Sequence, residues 1–310
     1  MDVEDLARAV VASAFGSRPI RRVRPAAGGY SGNVYALEMA EPDATYCLRR
    51  HRNGPVAAGA EATIAARLRG TVPVPRGVYA DVDGSVCGDP VTLTEWLDGV
   101  LLQDLLPSLD QAAAARVGHA VGTILAGIGT VRFATSGFFV SADLDVGRSL
   151  AATPVAEQLH AYVSDRLTGT DDPLLADYAS LVRREAGALA GLDDPPALVH
   201  ADFNPKNILV RGGPGGVWEV AAVLDWEFAF AASPLVDVAN MLRHSDRLPP
   251  GYIEGFVTGF RDTGGRLSEG WEARARLLDV FALVEFLTRD GPLTPAVRKI
   301  ARRCVDRDWI

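Results

Sequence analysis

The sequence predicts an α+β chain in two lobes, a small antiparallel β-rich lobe over residues 1–98 and a larger, mostly helical lobe over residues 99–310. Three observations predict it. Short β-branched and aromatic runs crowd the first third. Helical periodicity dominates from Leu101 onward. A single hairpin pattern, "NILVRGGPGGVWEVAAVLDW", interrupts the helical part. At 310 residues and 48% hydrophobic, the chain has the length for about two lobes and the apolar content for a sizeable core.

The elements follow in order. "MDVEDLARAVVASAF" sets Val3, Leu6, Val10, Val11 and Phe15 at helical spacing, and its acidic start is unlike a basic-then-apolar leader. "GGYSGNVYALEM" alternates after its glycines, and "TYCLRRH" has the branched and aromatic content of a strand. "GPVAAGAEATIAARLRG" reads as a helix stopped by Gly70, and the segment from Val72 to Gly99 as two strands around an Asp83-Gly84 turn. Helical patterns then cover 110–130, 154–167, 172–192, 250–262 and 271–290.

Composition narrows the function. A net charge of −8 argues against a general nucleic-acid binder. No apolar run approaches the roughly 20 residues of a membrane span. The three cysteines, Cys47, Cys87 and Cys304, are far apart and form no CxxC, so the expected setting is a reducing cytoplasm. The charge is uneven: residues 1–98 carry 12 acids and 11 bases, residues 99–310 carry 27 acids and 20 bases.

The stretch "LVHADFNPKNILV", Leu198 to Val210, breaks a strand-like run with a polar loop. The hairpin that follows ends on "VLDWE", so its two strands bring Asn207 beside Asp225. An amide oxygen and a carboxylate converging in this way suit Mg2+, a hard cation that keeps its other positions for water and phosphate. Asp202 is then available to accept, or to orient, the proton of a substrate hydroxyl. Lys206 stands out because the chain holds 31 basic side chains and only two lysines, Lys206 and Lys299.

The pattern H-x-D-x-x-x-x-N from His200 to Asn207, a hairpin, then Asp225-Trp226-Glu227 resembles the aminoglycoside phosphotransferase family, whose fold is protein-kinase-like. Ala201 stands where the family usually has glycine. The resemblance implies a bilobal fold with a nucleotide-binding first lobe, a kinase-type catalytic aspartate at Asp202 and a metal aspartate at Asp225. It also implies a phosphate-covering loop at "AAGGYSGNVYAL", with Gly29, Ser31 and Gly32 at its tip and Val34 after it. The basic residue on the third strand is assigned to Arg49, with Cys47 on the same face and Arg50 as the other candidate. Its helical partner is Glu61. Backbone groups around Glu95, Trp96 and Leu97 are placed against the adenine edge, and Lys206 against the γ-phosphoryl. Asp237 is expected to brace the catalytic loop. The resemblance implies ATP as the donor, with GTP open.

The "DFNPKN" loop is similar to loops in enzymes that inactivate tuberactinomycin-type peptides such as viomycin and capreomycin. Three functions fit the residues: phosphorylation of a cationic antibiotic, a metabolic kinase of the same fold (choline-, homoserine- or fructosamine-like), or a nucleotide-binding pseudoenzyme. The acidic larger lobe favours a polycationic small-molecule acceptor. Glu227, Trp271, Glu285 and Asp290 are its candidate contacts.

Overall fold

A computed structural model describes residues 2–26, 34–40, 44–147, 150, 153–167, 171–192, 195–213, 217–288 and 294–306. By its internal contacts the chain divides into two compact units. The first comprises residues 1–104, 139–147 and 206–229; the second comprises 105–138, 148–205 and 230–310. The hairpin that follows the polar loop thus belongs by contact to the first unit.

In the first unit helix α1 (Val3–Phe15) opens on Asp2, whose carboxylate accepts from the Asp5 N–H at 2.8 Å. Its Leu6, Val10 and Val11 pack on Leu37, Met39, Leu48, Val91 and Leu93 of a five-stranded antiparallel sheet. The sheet runs β1-β2-β3-β5-β4, from strands β1 (Ile20–Pro25), β2 (Val34–Met39), β3 (Thr45–Arg50), β4 (Gly77–Asp81) and β5 (Val91–Glu95). Pro25 is tolerated because β1 is an edge strand. Between β4 and β5 the Asp81 carboxylate accepts from the N–H groups of Ser85 and Val86, and Gly84 adopts φ 73°. The turn expected there is therefore held by a side chain.

Helix α2 (Gly54–Leu68) follows β3. A Cβ on its Gly59 would lie 2.5 Å from that of Ala142, so this glycine lets the 139–147 segment approach the helix. Strands β6 (Val100–Leu101), β9 (Ile208–Gly212) and β10 (Trp218–Val223) form a second antiparallel sheet, in which Ile208 faces Val223.

The second unit holds most of the helices: α4 (Gln111–Ile128), which follows the short α3 (Leu102–Leu105), then α5 (Val155–Leu167), α6 (Pro173–Glu185), α7 (Leu235–Leu242), α8 (Tyr252–Asp262), α9 (Trp271–Leu287) and α10 (Thr294–Asp306). Asp110 and Asp172 cap α4 and α6 through their side chains. Helices α4 and α8 touch backbone to backbone: Gly118 and Gly122 lie against the main chain of Tyr252 and Phe256, and Gly255 and Gly259 against that of Ala115 and His119. A small sheet orders β7 (Gly137–Phe138), β11 (Phe230–Ala232) and β8 (Ala197–Val199). Arg243, after α7, forks onto Asp279 of α9, its Nε 3.0 and 3.1 Å from the two carboxylate oxygens; both side chains are buried. Among the described residues no helix is long and apolar enough to cross a membrane.

The α+β fold with an antiparallel first sheet and a helical remainder is the one expected. Helices α3, α7 and α10 and strands β1, β6, β7 and β11 add to the elements read from the sequence.

Candidate active site

In the first unit the third strand aims Arg49 into a group of carboxylates. Its Nη1 is 3.3 Å from Glu61 of α2, and its Nη2 donates to Asp225 at 2.6 Å and to Glu227 at 2.9 Å. Strand alternation sends Arg50 to the other face, where it pairs with Asp89. Asn53, at the start of α2, donates its amide to Glu227 at 3.1 Å. His51 is buried; its Nε2 is 2.9 Å from the Thr92 hydroxyl and its Nδ1 3.8 Å from Glu61.

This crowding has electrostatic consequences. Burial pushes the Glu61 carboxyl up to about 7; Arg49 opposes the shift, and Asp225 and Glu227 add to it. Its Oε1 is buried with no hydrogen-bond partner among the described residues. For Arg49, burial works against the charge, but Glu61, Asp225 and Glu227 together outweigh it and hold its pKa above the ordinary value. Burial, then Arg49, lowers His51 to about 4, so its ring is neutral.

The hairpin supplies the rest of this group. The Leu224 N–H donates to the Asn207 carbonyl at 2.8 Å, which sets Asn207 beside the chain entering Asp225. Asp225 itself adopts φ 69°, a left-handed conformation that turns the chain sharply as it leaves β10. Oxygen atoms of Glu61, Asp225 and Glu227 lie within 4.8 Å of one another. These carboxylate oxygens form a hard donor set, which fits Mg2+ better than a thiophilic metal.

In the second unit Asp202 sits half-buried after β8. Asp237 of α7 accepts from the N–H groups of His200 and Ala201 at 2.7 and 2.8 Å. These bonds hold Ala201 at φ 65°, where an alanine costs about 1 kcal/mol relative to glycine. Burial pushes Asp237 up to about 7 against those two donors. The His200 Nδ1 accepts the Asp202 N–H at 3.2 Å, which leaves the ring proton on Nε2. Asn204 donates to the Asp202 carboxylate at 2.7 Å and to its carbonyl at 2.9 Å, and so fixes the carboxylate's rotation. Pro205–Asn207 makes a single 3-10 turn, on which Lys206 is exposed.

Of the remaining predicted residues, Val34, Cys47 and Glu95 lie on the neighbouring strands β2, β3 and β5. Val34 pairs in register with Arg49, and Cys47 with Ala36 and Thr94. The N–H groups of Glu95 and Trp96 donate to the carbonyls of Arg76 and Thr45, and the Glu95 side chain pairs with Arg76. Glu227, expected on the acceptor, lies in the Arg49 group. Trp271 is 6% exposed, and its ring belongs to the core of the second unit. Glu285 accepts from Tyr162 and Arg166 of α5. Gly29, Ser31, Gly32 and Asp290 lie outside the described residues.

The model of the phosphotransferase enzyme family matches residues 22–297. This chain belongs to that family. Its chemistry is therefore phosphotransfer, and it is a small-molecule phosphotransferase. No curated protein matches the sequence. Solved structures carry the same protein-kinase-like fold. A thermostable mutant of aminoglycoside phosphotransferase APH(4)-Ia, in ternary complex with AMP-PNP and hygromycin B, is 19% identical with a TM-score of 0.69, over 96% of this chain and 97% of that one. APH(2")-IIIa with GDP and kanamycin is 15% identical with a TM-score of 0.71, over 98% and 99%. A Ralstonia eutropha JMP134 protein proposed to be an aminoglycoside phosphotransferase is 18% identical with a TM-score of 0.72, over 99% and 97%.

Three site neighbours of this phosphotransferase escape a reading of the sequence: Asn53, His51 and Asn204. For Asn204 a signal exists. An asparagine two residues after an aspartate in a loop can bond back to it. Asn53 and His51 reach the site only through tertiary packing.

Proposed function

We propose that the protein transfers the γ-phosphoryl group of ATP, with Mg2+, to a hydroxyl of a cationic small molecule, an antibiotic of the aminoglycoside or tuberactinomycin class. The observation that carries this reading is Arg49 held between Glu61 and the Asp225–Glu227 pair. A planar fork of donors on a strand is suited to bidentate phosphate binding, and it stands in one group with the candidate metal carboxylate.

In this reading Arg49 turns its donors to the α- and β-phosphate oxygens while Glu61 keeps it oriented. Asn207 and Asp225 would hold Mg2+, which would supply neutralisation of the phosphate oxygens. Gly29, Ser31 and Gly32 cover the phosphates, and Val34 and Cys47 line the nucleotide. The adenine edge meets the backbone at Glu95–Leu97, with the Leu97 N–H as donor. Asp202, fixed by Asn204, accepts the hydroxyl proton as the acceptor oxygen bonds to the γ-phosphorus and the bond from that phosphorus to the ADP oxygen breaks. Lys206 neutralises charge on the transferring group.

The acceptor class rests on charge and on likeness. Residues 99–310 carry a net −7, which concentrates cations. The similar structures named above include complexes with hygromycin B and kanamycin. A coupled ADP-release screen tests the reading, with ATP and GTP each offered against cationic antibiotics and amino-alcohol metabolites at low salt and at 0.5 M salt, a level at which screening is strong. Salt-sensitive turnover of a polycation is the expected result. Efficient turnover confined to neutral or anionic acceptors would overturn it.

A further inference from the structure

Helices α5 and α9 of the second unit face each other through two pairs spaced four residues apart. Tyr162 and Arg166 stand on α5, and Phe281 and Glu285 on α9. The Tyr162 hydroxyl donates to Glu285 Oε2 at 2.7 Å, and Arg166 Nε donates to the same oxygen at 3.0 Å. The guanidinium carbon of Arg166 lies 4.2 Å from the centre of the Tyr162 ring, and that ring rests on Phe281 at 5.3 Å. A ring face, a carboxylate and a phenol thus surround one cation. This is the chemistry that recognises guanidinium and ammonium groups in ligands.

The group is open to solvent. The Arg166 and Glu285 side chains are 35% and 30% exposed. Arg166 is also 3.4 Å from Asp165, whose side chain is 80% exposed, so a second carboxylate is at hand if it leaves Glu285. An ion pair this exposed is weak and open to exchange. Tyr162 is pushed up to about 12, by burial first and then by Glu285, and so remains a neutral donor that leaves the carboxylate its full charge.

The helix that carries Glu285 is tied to the catalytic loop. Asp279 of α9 holds Arg243, which follows α7, and Asp237 of α7 holds His200 and Ala201. Glu285 lies six residues, about 9 Å, further along α9.

We propose that Tyr162 and Glu285 form the seat for a guanidinium or ammonium group of the acceptor, and that Arg166 is a built-in occupant which the acceptor displaces. The acceptor assignment rests on the polycation reading above; the seat itself is tested apart from it. Agmatine carries a guanidinium and an ammonium but no hydroxyl, so its binding is independent of phosphoryl transfer. Calorimetric titration at low salt compares the whole wild-type protein with Arg166→Ala, Arg166→Met, Glu285→Gln and Tyr162→Leu, with a melting temperature for each. Removing the occupant is expected to tighten agmatine about three- to tenfold, and Glu285→Gln to weaken it about tenfold or more. Arg166→Met keeps the stem that packs on the ring and guards against a folding defect in the alanine variant. Opposite signs for the Arg166 and Glu285 variants support the seat, even if the screen finds no polycation turned over, in which case only the acceptor reading falls. Weaker binding in all four variants, or no binding in either the wild type or the Arg166 variants, would make the trio a staple between helices and sink the proposal.

Discussion

Arg49 donates to Asp225 across 176 positions of sequence, at 2.6 Å, while its other terminal nitrogen lies 3.3 Å from Glu61. One guanidinium thus joins the strand, the helix and the hairpin of the first unit, and it compensates three carboxylates at once.

The first prediction follows from that count. Arg49→Ala leaves Glu61, Asp225 and Glu227 together without their shared cation, and two of the three are well shielded from water. Urea unfolding should show a loss of about 2–3 kcal/mol, below the range for a fully buried pair because the group is partly solvated. Arg49→Lys keeps the charge but not the fork, so it should recover part of the stability while still raising the KM for nucleotide. A lysine variant with unchanged KM would show that a point charge suffices.

Much of this group was legible in the sequence, for reasons that can be named. The two-residue period of β3 separates Arg49 from Arg50, and the hairpin that joins Ile208 to Val223 must bring Asn207 toward Asp225. Local periodicity and pairing decide both. Glu227 and Trp271 were not legible in the same way. Whether an acid turns to a distant arginine, or an indole into a core, depends on packing between segments far apart in sequence. The strands β7 and β11, of two and three residues, are too short to show a period, and their pairing is decided by the chain around them.

The second prediction separates two residues of the polar loop. Asp202→Asn should lower kcat a hundredfold or more while the variant still binds nucleotide, because a base acts on the reacting proton and the amide cannot accept it. Lys206→Ala should lower kcat more than it raises the KM for ATP, the pattern of an interaction made mainly in the transition state. Single-turnover kinetics with an acceptor found in the screen would check both. Near-wild-type kcat in Asp202→Asn would remove its role as base, and unchanged kinetics in Lys206→Ala would return that lysine to the solvent.

The third concerns the scaffold. A Cβ on Gly122 would land on the Phe256 carbonyl oxygen and lie 2.7 Å from the Phe260 amide nitrogen. Both obstacles are backbone, so neither can swing aside; the helices must part. Gly122→Ala would gain helix propensity in isolation, yet here it should cost roughly 3 kcal/mol or more. Gly187→Ala is the control, since nothing lies within 4 Å of a Cβ there. Equal melting temperatures for the two variants would contradict the contact.

The last prediction is a pH dependence with a fixed sign. His51 is buried, and its folded pKa is lowered from 6.5 to about 4, by burial first and then by Arg49. Between those values the unfolded chain binds the proton and the folded chain does not. Stability from this residue is therefore complete above about pH 6.5, declines as the pH falls toward 4, and is level below that. From pH 7 to pH 5 the loss should be about 2 kcal/mol. Ionisations elsewhere contribute over the same range, so the measurement is a comparison. His51→Gln keeps a polar group near the Thr92 hydroxyl but cannot take up a proton, and its urea midpoint should fall less from pH 7 to pH 5 than that of the wild type. Parallel declines in the two proteins would show that His51 is not held neutral by its burial.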